Sequence, residues 1–110
     1  MLAREDFILS LHEGGVSFEV ALAVHRELIA YCSKGISLYP DDSLSYFLEI
    51  DADELSFIYG RLLKQLRLPV PPVAESLRWA TDTPREISHH IHKWGEQQSA
   101  LTHSAHGYTM

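Results

Sequence analysis

Cysteine, long apolar runs and basic side chains are all scarce in this sequence of 110 residues. Cys32 is the single cysteine, which excludes an internal disulfide bond and is typical of a reducing compartment. No run approaches the roughly 20 apolar residues that a membrane-spanning helix needs. The first residues, MLAREDFILSLHE, carry charges of both signs and no long apolar core, which argues against a secretory signal. We therefore expect a cytoplasmic protein.

Lysine and arginine together number 9 against 15 aspartates and glutamates, so the formal net charge is −6. Duplex nucleic acid is bound through clustered basic side chains, and this balance argues against it as a partner. An acidic surface instead favours a protein partner with a basic face.

Motifs of the common catalytic and metal sites are missing as well. The sequence has no GxSxG, P-loop or dinucleotide-binding glycine pattern, no HExxH and no cysteine pair. His89 and His92 lie three residues apart on a predicted helix, and His103 and His106 repeat that spacing. Because zinc sites need three or four ligands with outer-shell support, we interpret these histidines as solvated side chains. We expect that the protein is not an enzyme and that it binds neither a metal nor a cofactor.

Apolar residues recur at helical spacing along the chain, which predicts one all-α domain. Residues 3–13 form a first pattern, which ends at Gly14-Gly15. It predicts either an extra helix packed on the domain or a loosely held arm. Residues 18–33 form a stronger one, capped by Ser17. Its apolar stripe comprises Phe18, Ala21, Leu22, His25, Leu28, Ile29 and Cys32. Pro40-Asp41-Asp42 predicts a turn, within a loop that apolar residues anchor to the domain.

The segment 48–68, LEIDADELSFIYGRLLKQLRL, predicts the most clearly amphipathic helix. Asp51 and Glu54 have the spacing of a capping box. Acids crowd the beginning of the segment and bases its end, as the helix dipole favours. The apolar stripe comprises Leu55, Ile58, Tyr59, Leu62, Leu63 and Leu66.

Prolines separate this helix from the rest of the chain. Pro69-Val70-Pro71-Pro72 stops it, and residues 73–79 are expected to form one or two short turns. Thr83-Pro84-Arg85-Glu86 predicts a last helix, which we expect to end at Gly95. The predicted organisation is an N-terminal helical extension at 1–15, a helical domain at 16–96 and a disordered tail at 97–110.

Ala52-Asp53-Glu54-Leu55 resembles the D-S-L signature of acyl carrier proteins, in which a serine at the start of the second helix receives the 4′-phosphopantetheine arm. The order of long helix, anchored loop, motif helix, short segment and T-P helix is also similar, over residues 18–96. The resemblance implies an acyl-carrier-like bundle of three longer helices and a short one. Glu54 stands where that serine would be, and a carboxylate cannot form the phosphodiester linkage. The resemblance thus implies the carrier fold without the carrier reaction.

The resemblance also implies a docking site, because carriers bind basic patches through the start of this helix. The candidate partner-binding residues are Glu49, Asp51, Asp53 and Glu54. The implied partner is an enzyme of fatty-acid, polyketide or related carrier-dependent metabolism.

Glu54 itself has two interpretations, a structural residue that completes the helix cap or a fixed charge that imitates the phosphodiester of a loaded carrier. The alternative function is a working acyl or aminoacyl carrier that uses a nearby serine, Ser45 or Ser56. Carriers shelter an acyl chain between their helices, whereas the large rings of this chain are expected to fill the core. These rings are Tyr46, Phe47, Phe57, Tyr59, Trp79 and Trp94.

Overall fold

Four α-helices account for most of the chain. The computed structural model describes residues 3–32, 37–72, 79 and 81–108, and for 102–108 only the helical backbone. Within these ranges there are four helices and no strand, which confirms the predicted all-α class. The predicted segment at 73–79 lies outside the described residues except for Trp79. No described helix is both long and apolar enough to cross a bilayer. The helices are α1 (Arg4–Glu13), α2 (Phe18–Ile29), α3 (Ala52–Gln65) and α4 (Pro84–Tyr108).

α1 is a packed helix and not a loose arm, because Phe7 and Leu11 are fully buried and the helix lies against α2. It ends at the two glycines, as predicted. Gly15 has a φ of 101°, a conformation that side chains with a Cβ rarely adopt. The turn lets the Val16 N–H donate to the Leu11 carbonyl at 3.1 Å, and the Gly15 N–H donates to the His12 carbonyl at 3.0 Å.

α2 is the central helix, since it packs against each of the other three. Its start is capped by Ser17, whose hydroxyl oxygen accepts from the Val20 N–H at 3.2 Å. The helix ends at Ile29 and not at residue 33, and Phe18 is half exposed and not in the core as predicted. The buried residues of α2 are Val20, Ala21, Ala23, Val24 and Leu28.

The loop before α3 is anchored, as predicted. Leu38, Leu44 and Ile50 are buried in the core. The Leu44 N–H donates to the carbonyl of Asp82 at 2.7 Å, which ties the loop to the segment before α4. Earlier in the loop, the Pro40 carbonyl accepts from the Arg85 N–H of α4 at 2.9 Å.

α3 buries Ile58, Leu62 and Leu63, in agreement with the predicted stripe. Its carboxyl end closes through Arg67, whose φ of 57° is left-handed. This conformation lets the Leu68 N–H donate to the Leu63 carbonyl at 2.9 Å, the long bond of a Schellman motif. The chain then leaves the helix before Pro69.

α4 starts as predicted, because the Thr83 hydroxyl oxygen accepts from the Glu86 N–H at 3.1 Å. The predicted end at Gly95 is wrong, since the helix continues to Tyr108, through the first twelve residues of the segment that was predicted to be a disordered tail. A helical glycine costs only about 1 kcal/mol, and no proline follows it. A Cβ at Gly95 would lie 3.6 Å from Leu68 Cδ1, so this glycine packs against the loop after α3.

The prediction that large rings fill the core is right for three of them and wrong for the others. Trp79 is partly buried, with its ring centroid 5.2 Å from Tyr59 and 6.3 Å from Trp94. The Trp94 indole N–H donates to the Pro69 carbonyl at 2.8 Å. The three exposed rings are Tyr46, Phe47 and Phe57.

We expect Gly95→Ala to raise the free energy of unfolding by about 0.5–1 kcal/mol, because alanine favours helix over glycine. The new methyl group would meet Leu68 at ordinary contact distance. Gly15→Ala is the control, and its positive φ makes it destabilising. Urea denaturation of both variants measures the change. A destabilised Gly95→Ala protein would contradict the helix interior assigned to this residue.

Candidate functional site

The start of α3 is held by Asp51, which precedes the first helical residue. Its carboxylate accepts from the Glu54 N–H at 2.8 Å, which confirms one half of the predicted capping box. In a complete box the Glu54 carboxylate would return to the backbone of Asp51. Here it accepts instead from the hydroxyl of Tyr31, in the turn that follows α2. The Glu54 carboxylate therefore connects α3 to the turn after α2 and does not complete the cap of its own helix.

A polar network surrounds this contact. Arg61, two turns further along α3, donates to the Tyr31 hydroxyl at 2.9 Å and lies 3.8 Å from the Glu54 carboxylate. The same guanidinium forms an ion pair with Glu27 of α2, to which Gln65 also donates at 3.2 Å. Partial burial, followed by the bond to Glu54, raises the pKa of the Tyr31 hydroxyl. These polar contacts join α3 to α2 and to the turn after it, outside the apolar contact between the two helices.

The acids predicted to bind a partner therefore divide into two groups. Glu54 lies at the start of α3, as predicted, but its carboxylate is turned toward α2, and the side chain is 40% exposed. Glu49, Asp51 and Asp53 are exposed to solvent. These three acids, together with Glu54, are called the acidic start of α3 below.

Glu49 has a left-handed backbone with a φ of 55°, which is uncommon for a residue other than glycine or asparagine. The Ile50 N–H donates to the Leu44 carbonyl at 2.9 Å, and this bond closes the turn that contains Glu49. This turn holds the Glu49 backbone immediately before α3. The sequence gives no signal for this conformation, because neither glycine nor asparagine marks the position.

Large exposed rings lie beside these acids along the chain. Tyr46 is 79% exposed, Phe47 is 66% exposed, and their ring centroids are 5.4 Å apart. Phe57 is 63% exposed and lies one helical turn after Asp53, on the same face of α3. The periodicity of α3 already separated Phe57 from the apolar stripe, so its exposure could have been predicted. Nothing local distinguished Tyr46 and Phe47 from the buried anchors of their loop.

The serines that could replace the missing attachment site both donate to groups within the chain. The Ser45 hydroxyl donates to the Asp82 carboxylate at 2.9 Å, and the Ser43 hydroxyl donates to the same carboxylate at 2.8 Å. These bonds, that of Ser43 first, lower the pKa of the Asp82 carboxyl. The Ser56 hydroxyl donates to the Ala52 carbonyl at 3.1 Å, one turn back along α3. Neither Ser45 nor Ser56 occupies the Glu54 position.

The three histidines of α4 whose side chains the structure describes do not converge. His89 is exposed, His90 stacks on Trp79 with ring centroids 5.8 Å apart, and His92 Nδ1 accepts from the Ser17 N–H at 3.2 Å. In the part of the chain that the structure describes, no three histidine, cysteine or acidic side chains are grouped to hold a metal ion. The side chains of His103 and His106 lie outside that part.

No family model, no curated protein and no solved structure matches this chain.

We expect Glu54→Ala to lower the free energy of unfolding by about 1 kcal/mol more than Asp53→Ala does, since it leaves the Tyr31 hydroxyl without its acceptor. Asp53→Ala is the matched control, because it also removes an acid from the first turn of α3. Only the helix-dipole contribution, about 0.3–1 kcal/mol at most, is lost there. Denaturant unfolding compares the two, and a Glu54→Ala effect no larger than that of Asp53→Ala would contradict the bridging role.

Proposed function

We propose that this chain is a non-enzymatic interaction module, similar in kind to an acyl carrier protein but without the phosphopantetheine site, which binds a basic face of another protein through the acidic start of α3. The partner class that fits is an enzyme of fatty-acid, polyketide or related carrier-dependent metabolism. The observation that carries the proposal is the combination of exposed acids and exposed rings at this one position in the chain.

Charge supplies the first argument. Glu49, Asp51 and Asp53 are exposed within a stretch of five residues that contains no basic side chain. They lie beside the amino end of α3, whose dipole already stabilises negative charge there. Complementary charge at an interface mainly accelerates association and selects the partner. A basic face is the surface that this arrangement favours.

The rings supply the second argument. Tyrosine and phenylalanine are enriched in protein interfaces, where buried rings provide much of the binding energy. Tyr46, Phe47 and Phe57 are each more than 60% exposed, and no role in the core explains them. Arginine side chains of a partner can both pair with the acids and stack on the rings. The site therefore suits an arginine-bearing amphipathic surface.

The residue at the start of α3 also argues against a covalently attached acyl group. Glu54 is the residue that corresponds to the attachment serine in the resemblance, and its carboxylate is engaged by Tyr31 and Arg61. The alternative function, a working carrier modified on Ser45 or Ser56, would require an attachment hydroxyl that now donates to Asp82 or Ala52. These contacts favour action through binding. They also favour the structural interpretation of Glu54 over the phosphodiester mimic.

A titration with a defined probe tests the proposal. We expect a helical peptide with one arginine face and one leucine face to perturb amide NMR signals between residues 46 and 57. Asp53→Lys should weaken this binding by about tenfold, a loss of 1.4 kcal/mol. Added salt should weaken the binding of the wild-type protein, because exposed charges are screened.

Asp6→Lys is the matched control, since Asp6 lies in the first turn of α1 as Asp53 lies in that of α3. Both variants change the net charge and the helix dipole equally. Equal weakening by both, binding that ignores salt, or perturbed signals elsewhere on the chain would each contradict the proposal.

A further inference from the structure

One peptide group in the turn before α2 is bound by two histidines from two other helices. The Val16 carbonyl accepts from His12 Nδ1 of α1 at 2.9 Å. The N–H of the same peptide, which belongs to Ser17, donates to His92 Nδ1 of α4 at 3.2 Å. Both α1 and α4 therefore meet the start of the central helix at the peptide that joins Val16 to Ser17, called the 16–17 peptide below.

These two hydrogen bonds fix where each ring carries its proton. A carbonyl oxygen can only accept, so His12 Nδ1 carries a proton. A backbone N–H can only donate, so His92 Nδ1 carries none, and the proton of its neutral ring is on Nε2. In an acidified His12 the added proton goes to Nε2 and leaves the bond to the carbonyl intact. In an acidified His92 it goes to Nδ1 and removes the acceptor.

Charges of both signs face His92 from its own helix. The Glu96 carboxylate oxygen Oε1 lies 3.6 Å from His92 Nε2, one turn further along α4. His89, one turn earlier, repels a protonated His92, and Lys93 follows it in the chain. The His92 side chain is 24% exposed, so protons reach the ring without unfolding. Glu96 gives the protonated ring a partner within α4 that does not involve α2.

The other helices add one acid and one histidine around His92. Glu19 of α2 lines the same cavity of about 470 Å³. The loop after α3 lines it with the apolar Leu66 and Leu68. α1 contributes His12, on the opposite side of the 16–17 peptide.

We propose that His92 is a pH-sensitive latch between α4 and the start of α2. The neutral ring holds the Ser17 N–H, whereas the protonated ring exchanges this partner for the Glu96 carboxylate, so that the 16–17 peptide stays bound to α1 alone. Histidine is the side chain that changes charge between about pH 5 and 8, so the exchange belongs to the mildly acidic range. Ile91 of α4 stays buried in the core at either pH, which confines the change to the contact at the 16–17 peptide.

NMR of the full wild-type chain tests the latch directly. At about pH 7.5 we expect ring nitrogen shifts of the Nε2–H tautomer for His92 and of the Nδ1–H tautomer for His12. The protection of the Ser17 amide against solvent exchange, relative to its intrinsic rate at each pH, should fall roughly two- to tenfold by about pH 5, the ratio that one hydrogen bond supplies. An Nδ1–H tautomer of His92, or protection that ignores pH, would overturn the inference.

Asparagine separates the roles of the two histidines. Its amide oxygen and nitrogen are bonded to Cγ, as Nδ1 is in histidine, and they accept or donate without titrating. His92→Asn should therefore keep the Ser17 N–H bound and abolish the pH response of this amide. His12→Asn, the matched control, also removes one histidine but should retain the response.

Circular dichroism checks that both variants keep their helices. Equal pH responses of the Ser17 amide in His92→Asn and His12→Asn would overturn the latch. If either variant unfolds, the tautomers of the wild-type rings decide the question, because the latch requires a His92 Nδ1 without a proton.

Discussion

Burial of the apolar face of α2 is the interaction on which the rest of the structure depends. Val20, Ala21, Ala23, Val24 and Leu28 form a face wide enough for α1, α3 and α4 to pack against this one helix. α3 is thereby positioned as a neighbour of α2, and the acidic start of α3 is presented at the edge of the bundle. The loop that leads into it is held by Leu38, Leu44 and Ile50 in the same core.

This arrangement gives Glu54 a role that is primarily structural. Apolar packing alone leaves the register between α2 and α3 weakly specified, whereas hydrogen bonds require particular partners. Tyr31, Arg61 and Glu27 supply those partners across the two helices. Once Glu54 is committed to the network, the acids that face solvent are Glu49, Asp51 and Asp53. A partner would therefore meet exposed charge on Glu49 and Asp53, and on Asp51, which also caps α3.

The sequence predicted those features whose partners lie within a few residues of each other. The caps at Ser17, Asp51 and Thr83 and the glycine turn after α1 are of this kind, and all were confirmed. The bond between Glu54 and Tyr31 joins residues 23 positions apart, so no local pattern could reveal it. The prediction that α4 ends at Gly95 was wrong because, in the sequence, a glycine that packs against a neighbouring side chain cannot be distinguished from one that ends a helix. The positive φ of Glu49 could not be predicted either, since neither glycine nor asparagine marks the position.

In the function proposed above, the protein acts by contact and carries no covalent arm. Its most direct test is the intact mass of the purified chain after incubation with coenzyme A and a promiscuous phosphopantetheinyl transferase. An unchanged mass, in a reaction where a true carrier protein is fully modified, is the result that the structure of the α3 start predicts. A mass increase of one phosphopantetheine arm, mapped to Ser45 or Ser56, would contradict this function and establish a working carrier.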